Sequence, residues 1–144
     1  MCKRLVESSV NNIAKIAVMK LKLAIDRPRP YQIFPALIEK GGMITRRIPE
    51  ALEFDFPLHS SFPSGHSTEA HFVACLLASI CPNSEKQLIA EAGAIACNRQ
   101  IAGLHYESDT AADKVLAKLL FEEFSNTVQY AEININCTCR EALS

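Results

Sequence analysis

Residues 62–82 read FPSGHSTEAHFVACLLASICP and carry the clearest helical pattern of the chain. Ser64 and Ser67 are suited to capping the start of a helix, and Pro82 ends one. The apolar side chains that recur at helical spacing between these signals are Phe72, Val73, Leu76, Leu77 and Ile80. The pattern predicts a helix that begins after Gly65 and stops at Pro82.

Three other segments show the same periodicity, and helices are expected at about residues 9–26, 84–101 and 108–130. Residues 31–62 are rich in Pro and Gly, and only one short helix is expected there, near 35–40. Long irregular segments of this kind are usually functional or mobile. Because no strand pair or repeat is visible in the sequence, the prediction is an all-α helical bundle of about four core helices plus a long irregular connection.

The size and charge of the chain exclude several function classes. Its 144 residues fit one domain, 1–144, and 15 Lys and Arg balance 16 Asp and Glu to a net charge of −1. This balance argues against a general nucleic-acid binder, which normally carries a basic excess. The sequence shows no apolar stretch long enough for a transmembrane segment and no signal peptide. We therefore expect a cytoplasmic protein, or a periplasmic or membrane-associated one if the N-terminus is truncated.

Six cysteines are present, and three of them fit the helical patterns as small apolar residues. Cys75, Cys81 and Cys97 belong to this group. Cys137 and Cys139 near the tail suggest a metal or redox site, but no second ligand pair accompanies them. An inert tail is the favoured interpretation of that pair.

The first cluster of chemically useful residues is KLAIDRPRP at residues 22–30. Lys22 and Arg29 are seven residues apart, which places them on one helix face. Two cations at a helix end suit a dianionic oxyanion, because Arg offers a planar fork and Lys a point charge. Lys20 and Arg27 have the same spacing and stay open as an alternative pair. Taken alone, the cluster is better explained by a solvated basic face.

The second cluster is the Pro63-Ser64-Gly65-His66 run that opens the helix predicted after Gly65. A helix N-terminus presents unpaired N–H groups and a positive dipole end to an anion. Gly65 would let the backbone approach that anion, Ser64 would add a hydroxyl, and His66 would exchange a proton near neutral pH. A capped helix start with an incidental His explains the run equally well.

The third cluster is NRQIAGLHYESD at residues 98–109. Arg99 closes one predicted helix, and His105 lies in the turn before the next. Asp109 follows four residues later, where it can hold one imidazole nitrogen and leave the other free for attack. Taken alone, the cluster is slightly better explained by a surface His and by an Asp that stabilises a helix N-terminus.

Together, the clusters supply three cations, an anion-binding helix start and two histidines, one of them with a carboxylate partner. This combination predicts phosphoryl transfer without a metal. The motifs of other phosphate or metal enzymes, such as a P-loop glycine run or H-E-x-x-H, do not occur in the sequence.

The three clusters resemble the tripartite signature of the superfamily that contains bacterial acid phosphatases, type 2 phosphatidic acid phosphatases and vanadium haloperoxidases. The signature reads K-x6-R-P, then P-S-G-H, then S-R-x5-H-x3-D. Its order and spacings match here over about residues 20–125, with Asn98 in place of the usual Ser. The resemblance implies the helical bundle of that superfamily and favours Lys22 and Arg29 over the alternative pair.

The resemblance also implies a role for each matching residue. His105 would be the nucleophile that forms a phosphohistidine, Asp109 would orient it, and His66 would protonate the leaving alkoxide. The phosphoryl oxygens would be held by Lys22, Arg29, Ser64, Gly65 and Arg99. No cofactor is implied in a phosphatase, whereas a haloperoxidase would carry vanadate on His105.

Relatives commonly have further N-terminal helices before the first motif. This chain begins about twenty residues before it, so we expect bundle surface to be covered by a second copy in a homodimer. A monomeric mass in sedimentation or light scattering would contradict that expectation.

The leading functional hypothesis is a phosphomonoesterase acting on a small phosphate ester, with a soluble ester favoured over a lipid phosphate. A vanadate-dependent haloperoxidase is the enzymatic alternative, although such enzymes usually have longer chains. The third hypothesis is a truncated, non-catalytic member of the superfamily that binds phosphate or assembles with a partner. The 31–62 segment is expected to border the pocket mouth, and Arg46 and Arg47 within it are better explained as a solvated turn.

Overall fold

A computed structural model describes residues 2–33 and 57–141 of the chain. Within these two ranges the regular structure is helical throughout, which confirms the predicted all-α bundle. The helices are α1 (Cys2–Ser9), α2 (Lys15–Ala24), α3 (Gly65–Ile80), α4 (Glu85–Ile101), α5 (Glu107–Ser125) and α6 (Val128–Glu141). The short helix expected near 35–40, and Arg46 and Arg47, lie outside the described residues.

The first helix starts earlier than predicted. Ser9 looks like a cap in the sequence, but the helix runs from α1 through a π-helical turn, Val10–Ala14, directly into α2. Ser9 is fully buried, so packing decides its conformation and overrides its preference for helix ends. α2 then ends at Ala24 because Ile25 is extended, at φ −123° and ψ 99°, just before the proline-rich run.

The helix predicted at 108–130 is two helices, and this part of the prediction is wrong. α5 stops at Ser125 because the polar side chains that follow bond back to the helix backbone. Asn126 Nδ2 donates to Glu122 O at 3.0 Å, and Thr127 Oγ1 donates to Phe124 O at 2.7 Å. The chain then turns into α6, which the sequence analysis did not predict.

α3 lies at the centre of the bundle and packs against α4 on one side and α5 on the other. Phe72 of α3 meets Phe124 of α5 with ring centroids 5.8 Å apart, and both rings are buried. The other members of this core are Ala14, Leu76, Ile80, Ala117 and Ile133. Because α3 is fixed along its length, its N-terminus, where the Pro63-Ser64-Gly65-His66 run lies, is held rigidly.

A tight turn between α4 and α5 brings the third cluster to the same end of the bundle. Gly103 adopts φ +68°, a left-handed conformation that favours glycine after a helix. Its carbonyl accepts a hydrogen bond from the Tyr31 N–H at 3.2 Å. This bond ties the chain that follows the first cluster to the turn that carries His105.

Candidate active site

A cavity of about 160 Å³ lies where the three clusters meet. Six of the eight predicted site residues line it, namely Lys22, Arg29, Gly65, His66, Arg99 and His105. The other two, Ser64 and Asp109, are fully buried and contact residues of the site. The structure therefore assembles one site from residues that are distant in the sequence.

Of the two pairs that the spacing left open, the pair of Lys22 and Arg29 is the one that lines the cavity. Both side chains line the cavity and are buried, with 8% and 1% of their surfaces exposed. Lys20 is exposed on the other side of α2, and Arg27 is absent from the cavity lining. A rotation of about 200° between residues two apart on a helix accounts for the difference between Lys20 and Lys22, whereas Arg27 and Arg29 lie beyond the end of α2.

Arg29 is held by hydrogen bonds on every side of its guanidinium group. Nε donates to His59 O at 3.0 Å, Nη1 to Leu104 O at 2.9 Å and Nη2 to Ser60 O at 3.2 Å. Two ring nitrogens complete the set, with His105 Nε2 at 3.3 Å from Nη1 and His59 Nδ1 at 3.1 Å from Nη2. The guanidinium is thus preorganised at the cavity wall.

Lys22 is fixed by a hydrogen bond from Nζ to Ser60 O at 2.7 Å. Burial, followed by the charge of Arg29, lowers the pKa of Lys22 to about 8, although Asp113 and Asp109 oppose the shift. At neutral pH most of the ammonium stays charged, so both cations of the first cluster are available to an anion.

Arg99 reaches the cavity from the last turn of α4. Its Nε is buried and has no hydrogen-bond partner among the residues that the structure describes. A buried guanidinium donor without a partner is costly, and an oxyanion in the cavity would satisfy it. Arg99 is therefore the third cation of the site.

The second cluster places His66 in the first turn of α3, where it is exposed on its outer side and lines the cavity on its inner side. Burial lowers the pKa of His66, and the charges of Arg99 and Lys22 lower it further. An anion bound between these cations would reverse part of that effect, because it would neutralise them.

Ser64 caps α3, with its Oγ accepting from Ser67 N at 3.4 Å, and its own N–H donates to Asp113 Oδ1 at 3.0 Å. Both polar groups of Ser64 thus bond within the protein. Gly65 lines the cavity, but a Cβ there would meet Val18 and Glu69 only at 3.7 Å, an ordinary contact. Space alone does not require glycine at this position.

The third cluster places His105 between a cation and a carboxylate. Its Nε2 faces Arg29, and its Nδ1 lies 3.7 Å from Asp109 Oδ2. Because a guanidinium can only donate, Nε2 serves as the acceptor, and a neutral ring with its proton on Nδ1 suits both neighbours. Burial lowers the pKa of His105, and Arg29 and Lys22 add to the shift against the opposing influence of Asp109.

Asp109 lies in the first turn of α5, and its carboxylate is fully enclosed. Oδ2 accepts from Tyr106 N at 2.9 Å, and Oδ1 forms an ion pair with Arg27. Burial alone would raise the pKa of Asp109, but His105, the Tyr106 N–H and Arg27 together hold it below its usual value. Asp109 is therefore ionised where it faces the imidazole.

A family model of the PAP2 superfamily matches residues 8–129. The chain belongs to the PAP2 superfamily. All three clusters fall within the matched span, so the resemblance drawn from the motifs is confirmed. Membership supports a phosphatase-type hydrolase. No curated protein matches the chain.

In the parts of this PAP2 chain that the structure describes, no helix is both long and apolar enough to cross a bilayer. Nor do the described ranges contain a group of three or more His, Cys, Asp or Glu side chains arranged to hold a metal ion. The side chains of Cys137 and Cys139 lie outside the described residues.

Three residues of this PAP2 site were missed by the sequence analysis or given another role. His59 lines the cavity and contacts Arg29, as expected for the end of the 31–62 segment, but nothing in the sequence singles it out. Arg27 contacts Asp109 instead of the anion cavity. Asp113 follows Asp109 by one helical turn, and that spacing could have revealed it.

Asp113 connects α5 to the start of α3. Its Oδ1 accepts from Ser64 N at 3.0 Å and from Thr68 Oγ1 at 3.2 Å. Burial raises the pKa of Asp113 to about 6, although the hydrogen bonds from Ser64 and Thr68 oppose the shift. The carboxyl thus anchors the Ser64 turn, and through it the position of His66.

Proposed function

We propose that this chain hydrolyses phosphate monoesters through a phosphohistidine on His105. The observation that carries the proposal is the orientation of the His105 ring. His105 lines a cavity with three cations, its Nε2 contacts Arg29 Nη1 at the cavity wall, and its Nδ1 faces an ionised carboxylate. A nitrogen lone pair surrounded by donors for an oxyanion is what attack on a phosphoryl group requires.

Substrate binding would rest on charge. Lys22, Arg29 and Arg99 converge on the cavity, and a dianionic phosphoryl group would pair with them. The same cations would stabilise the oxygens as the phosphoryl group passes from the ester oxygen to His105 and then to water. In phosphoryl transfer most of the catalysis is such positioning and charge stabilisation, so the proposal includes no metal or other cofactor.

In the first step, Arg29 Nη1 shifts its hydrogen bond from His105 Nε2 to a phosphoryl oxygen, the freed Nε2 lone pair forms a bond to phosphorus, and the ester P–O bond breaks. His66 donates its proton to the leaving oxygen, which departs as an alcohol. Asp109 stabilises the positive charge that develops on the His105 ring. In the second step, a water attacks phosphorus, His66 takes up the water's proton, and the N–P bond breaks to release phosphate.

The depressed pKa of His105 fits this role, because the nucleophile must be neutral. His66 must instead be protonated, and the negative charge of the bound ester favours that form by offsetting Arg99 and Lys22. The two histidines thus take opposite protonation states in the productive complex. We propose small soluble phosphate esters as substrates and the cytoplasm as the location.

The test measures hydrolysis of a chromogenic phosphate ester with and without vanadate, and with and without a chelator. We expect inhibition by vanadate, insensitivity to the chelator and loss of activity in His105→Ala. The exposed Lys20→Ala is the matched control and should retain full activity. Activity that survives His105→Ala, or that collapses with the chelator, would reject the mechanism.

His66→Ala tests the acid step separately. A leaving group that departs readily, such as nitrophenolate, needs little protonation, whereas a simple alkoxide needs much. The variant should therefore lose far more activity towards an alkyl phosphate than towards a nitrophenyl phosphate. Equal losses for both substrates would remove His66 from the proton-donor role.

Vanadate fits the same donors, so halide oxidation with vanadate and peroxide is measured in parallel. Bromination without ester hydrolysis would replace the phosphatase with the haloperoxidase alternative.

A further inference from the structure

Arg27 lies next to the cavity residue Arg29 in sequence but points towards a different target. Its guanidinium forms an ion pair with Asp109 through Nη1 and donates to Ser108 Oγ through Nη2 at 3.1 Å. The group also stacks over the Tyr106 ring, 4.1 Å from the ring centroid. Every one of these contacts lies on the first turn of α5 or just before it.

The backbone around Arg27 is held as firmly as its side chain. Its N–H donates to Ser60 Oγ at 3.1 Å, and its carbonyl accepts from Ser61 N at 2.9 Å. Pro28 restricts Arg27 to an extended conformation. The Arg27 guanidinium is therefore held in a fixed position against the start of α5.

The Asp109 carboxylate is fully buried, whereas the Arg27 side chain is 35% exposed. A buried carboxylate has a large desolvation cost unless its oxygens are paired. Arg27 pairs with Oδ1, while Oδ2 accepts from the Tyr106 N–H at 2.9 Å and lies 3.7 Å from His105 Nδ1. Without Arg27, the Tyr106 N–H would be the one remaining hydrogen bond in the described contacts that restrains the carboxylate about its terminal torsion, which is intrinsically broad.

We propose that Arg27 is a positioning residue that acts on His105 through Asp109. Together with the Tyr106 N–H, it holds the plane of the Asp109 carboxylate so that one oxygen faces the imidazole, which keeps the ring proton on Nδ1 and leaves Nε2 unprotonated at the cavity wall. The two arginines of the proline-rich run thus have different roles: Arg29 faces the anion cavity, and Arg27 faces the Asp109 carboxylate. The role in catalysis rests on the proposed phosphatase activity, but the effect on the ring does not.

The first measurement is steady-state kinetics of the full chain with a chromogenic phosphate ester. Arg27→Met should lower kcat by about tenfold to a hundredfold, the range typical for residues that orient a reactive side chain. KM should stay within about twofold, because Arg27 does not line the cavity. Arg27→Lys should recover part of kcat, since it keeps the charge but cannot bond Asp109 and Ser108 together. Lys20→Met, which removes an exposed cation from α2, should leave both parameters unchanged.

The second measurement is the tautomer of neutral His105, read from its imidazole ¹⁵N chemical shifts. The wild type should show the proton on Nδ1, and Arg27→Met should shift the population towards Nε2–H. This readout distinguishes the two proposals. If the wild type lacks phosphatase activity, the proposed function fails, while the tautomer still decides the role of Arg27.

Two results would overturn the inference. A rise in KM that exceeds the fall in kcat would make Arg27 a phosphate ligand. An unchanged His105 tautomer, with Arg27→Lys no better than Arg27→Met, would reduce Arg27 to a structural residue.

Discussion

Nη1 of Arg29 lies 3.3 Å from Nε2 of His105, so the guanidinium contacts the atom to which we assign the attack on phosphorus. The contact has two consequences. It disfavours a proton on Nε2, because two donors would then face each other. It also places a permanent positive charge beside the point where the phosphoryl group is transferred.

We therefore expect Arg29→Lys to be far from conservative. An ammonium cannot reproduce the three carbonyl contacts of Arg29, made to His59, Ser60 and Leu104. Loss of such buried charged hydrogen bonds costs about 2–5 kcal/mol, so kcat/KM should fall at least about thirtyfold. Arg4→Lys on the exposed face of α1 is the matched control and should keep wild-type kcat/KM and melting temperature. A variant within threefold of wild type would contradict the role given to Arg29.

The pH dependence of kcat/KM should place the optimum on the acid side of pH 6.5. His105 must be neutral, so activity rises as pH increases through its pKa; His66 must be protonated, so activity falls as pH increases through its pKa. Burial lowers both values below 6.5, with cations assisting in each case. Rates measured from pH 4 to pH 9 check this, and an optimum above pH 7.5 would contradict it.

Binding of inorganic phosphate should weaken as pH rises above about 8. Lys22, with a pKa lowered to about 8 by burial and by Arg29, loses its charge in that range. Each further pH unit should then raise the dissociation constant by up to about tenfold until the binding that remains depends on the arginines. Calorimetry between pH 7 and pH 10 measures the effect. Lys22→Arg stays charged and should show no such rise, and a rise of equal size in this variant would exclude Lys22 as the cause.

Asp113→Asn should preserve or increase the free energy of unfolding at pH 7. Burial raises the pKa of Asp113 to about 6, so the folded state binds a proton between about pH 4 and pH 6 that the unfolded state does not. The resulting stabilisation is present below about pH 4 and is lost as pH rises to about 6, a difference of about 3 kcal/mol. The Asn side chain of the variant is neutral at every pH, so the stability that Asp113 loses between about pH 4 and pH 6 is not lost in the variant. Its side-chain carbonyl oxygen can still accept the hydrogen bonds from Ser64 and Thr68.

Urea unfolding from pH 4 to pH 7 checks this prediction, with Asp113→Ala as the comparison. Ala leaves the buried Ser64 N–H without its partner, which should cost about 1–3 kcal/mol at every pH. If Asn destabilises the protein at pH 7 as much as Ala does, the buried charge is not the source of the effect.

The parts of the fold that the sequence predicted well are those with strong local signals. α3 begins after Ser64 and stops before Pro82, because a cap and a proline act on neighbouring residues alone. α1 and the break at Asn126 were missed for the opposite reason. Ser9 is buried within a continuous helix instead of capping its start, and the tail helix α6 contains many Asn, Ile, Thr and Cys residues of low helix propensity and is held by contacts such as that of Ile133 with the core.

For the site, the sequence likewise pointed to residues with a local signal and missed the contacts between distant positions. Motif spacing pointed to Lys22 and Arg29, and both line the cavity, although α2 ends at Ala24 and Arg29 lies in the segment after it. Their role as phosphate ligands stays a prediction. The partnership of Arg27 with Asp109 joins positions 82 residues apart, and no periodicity in a single sequence reports such a contact. Assembly as a homodimer and a cytoplasmic location stay predictions.

The two carboxylates at the start of α5 also set the order in which this protein can mature. Arg27 cannot form its ion pair until Asp109 has been synthesised, 82 residues later. Ser64 likewise lacks its hydrogen-bond acceptor until Asp113 has been synthesised, 49 residues later. A ribosome completes the first two motifs while the carboxylates that organise them do not yet exist. A nascent chain therefore has no complete site until α5 has left the exit tunnel, so the activity we propose would belong only to chains that have been synthesised beyond α5.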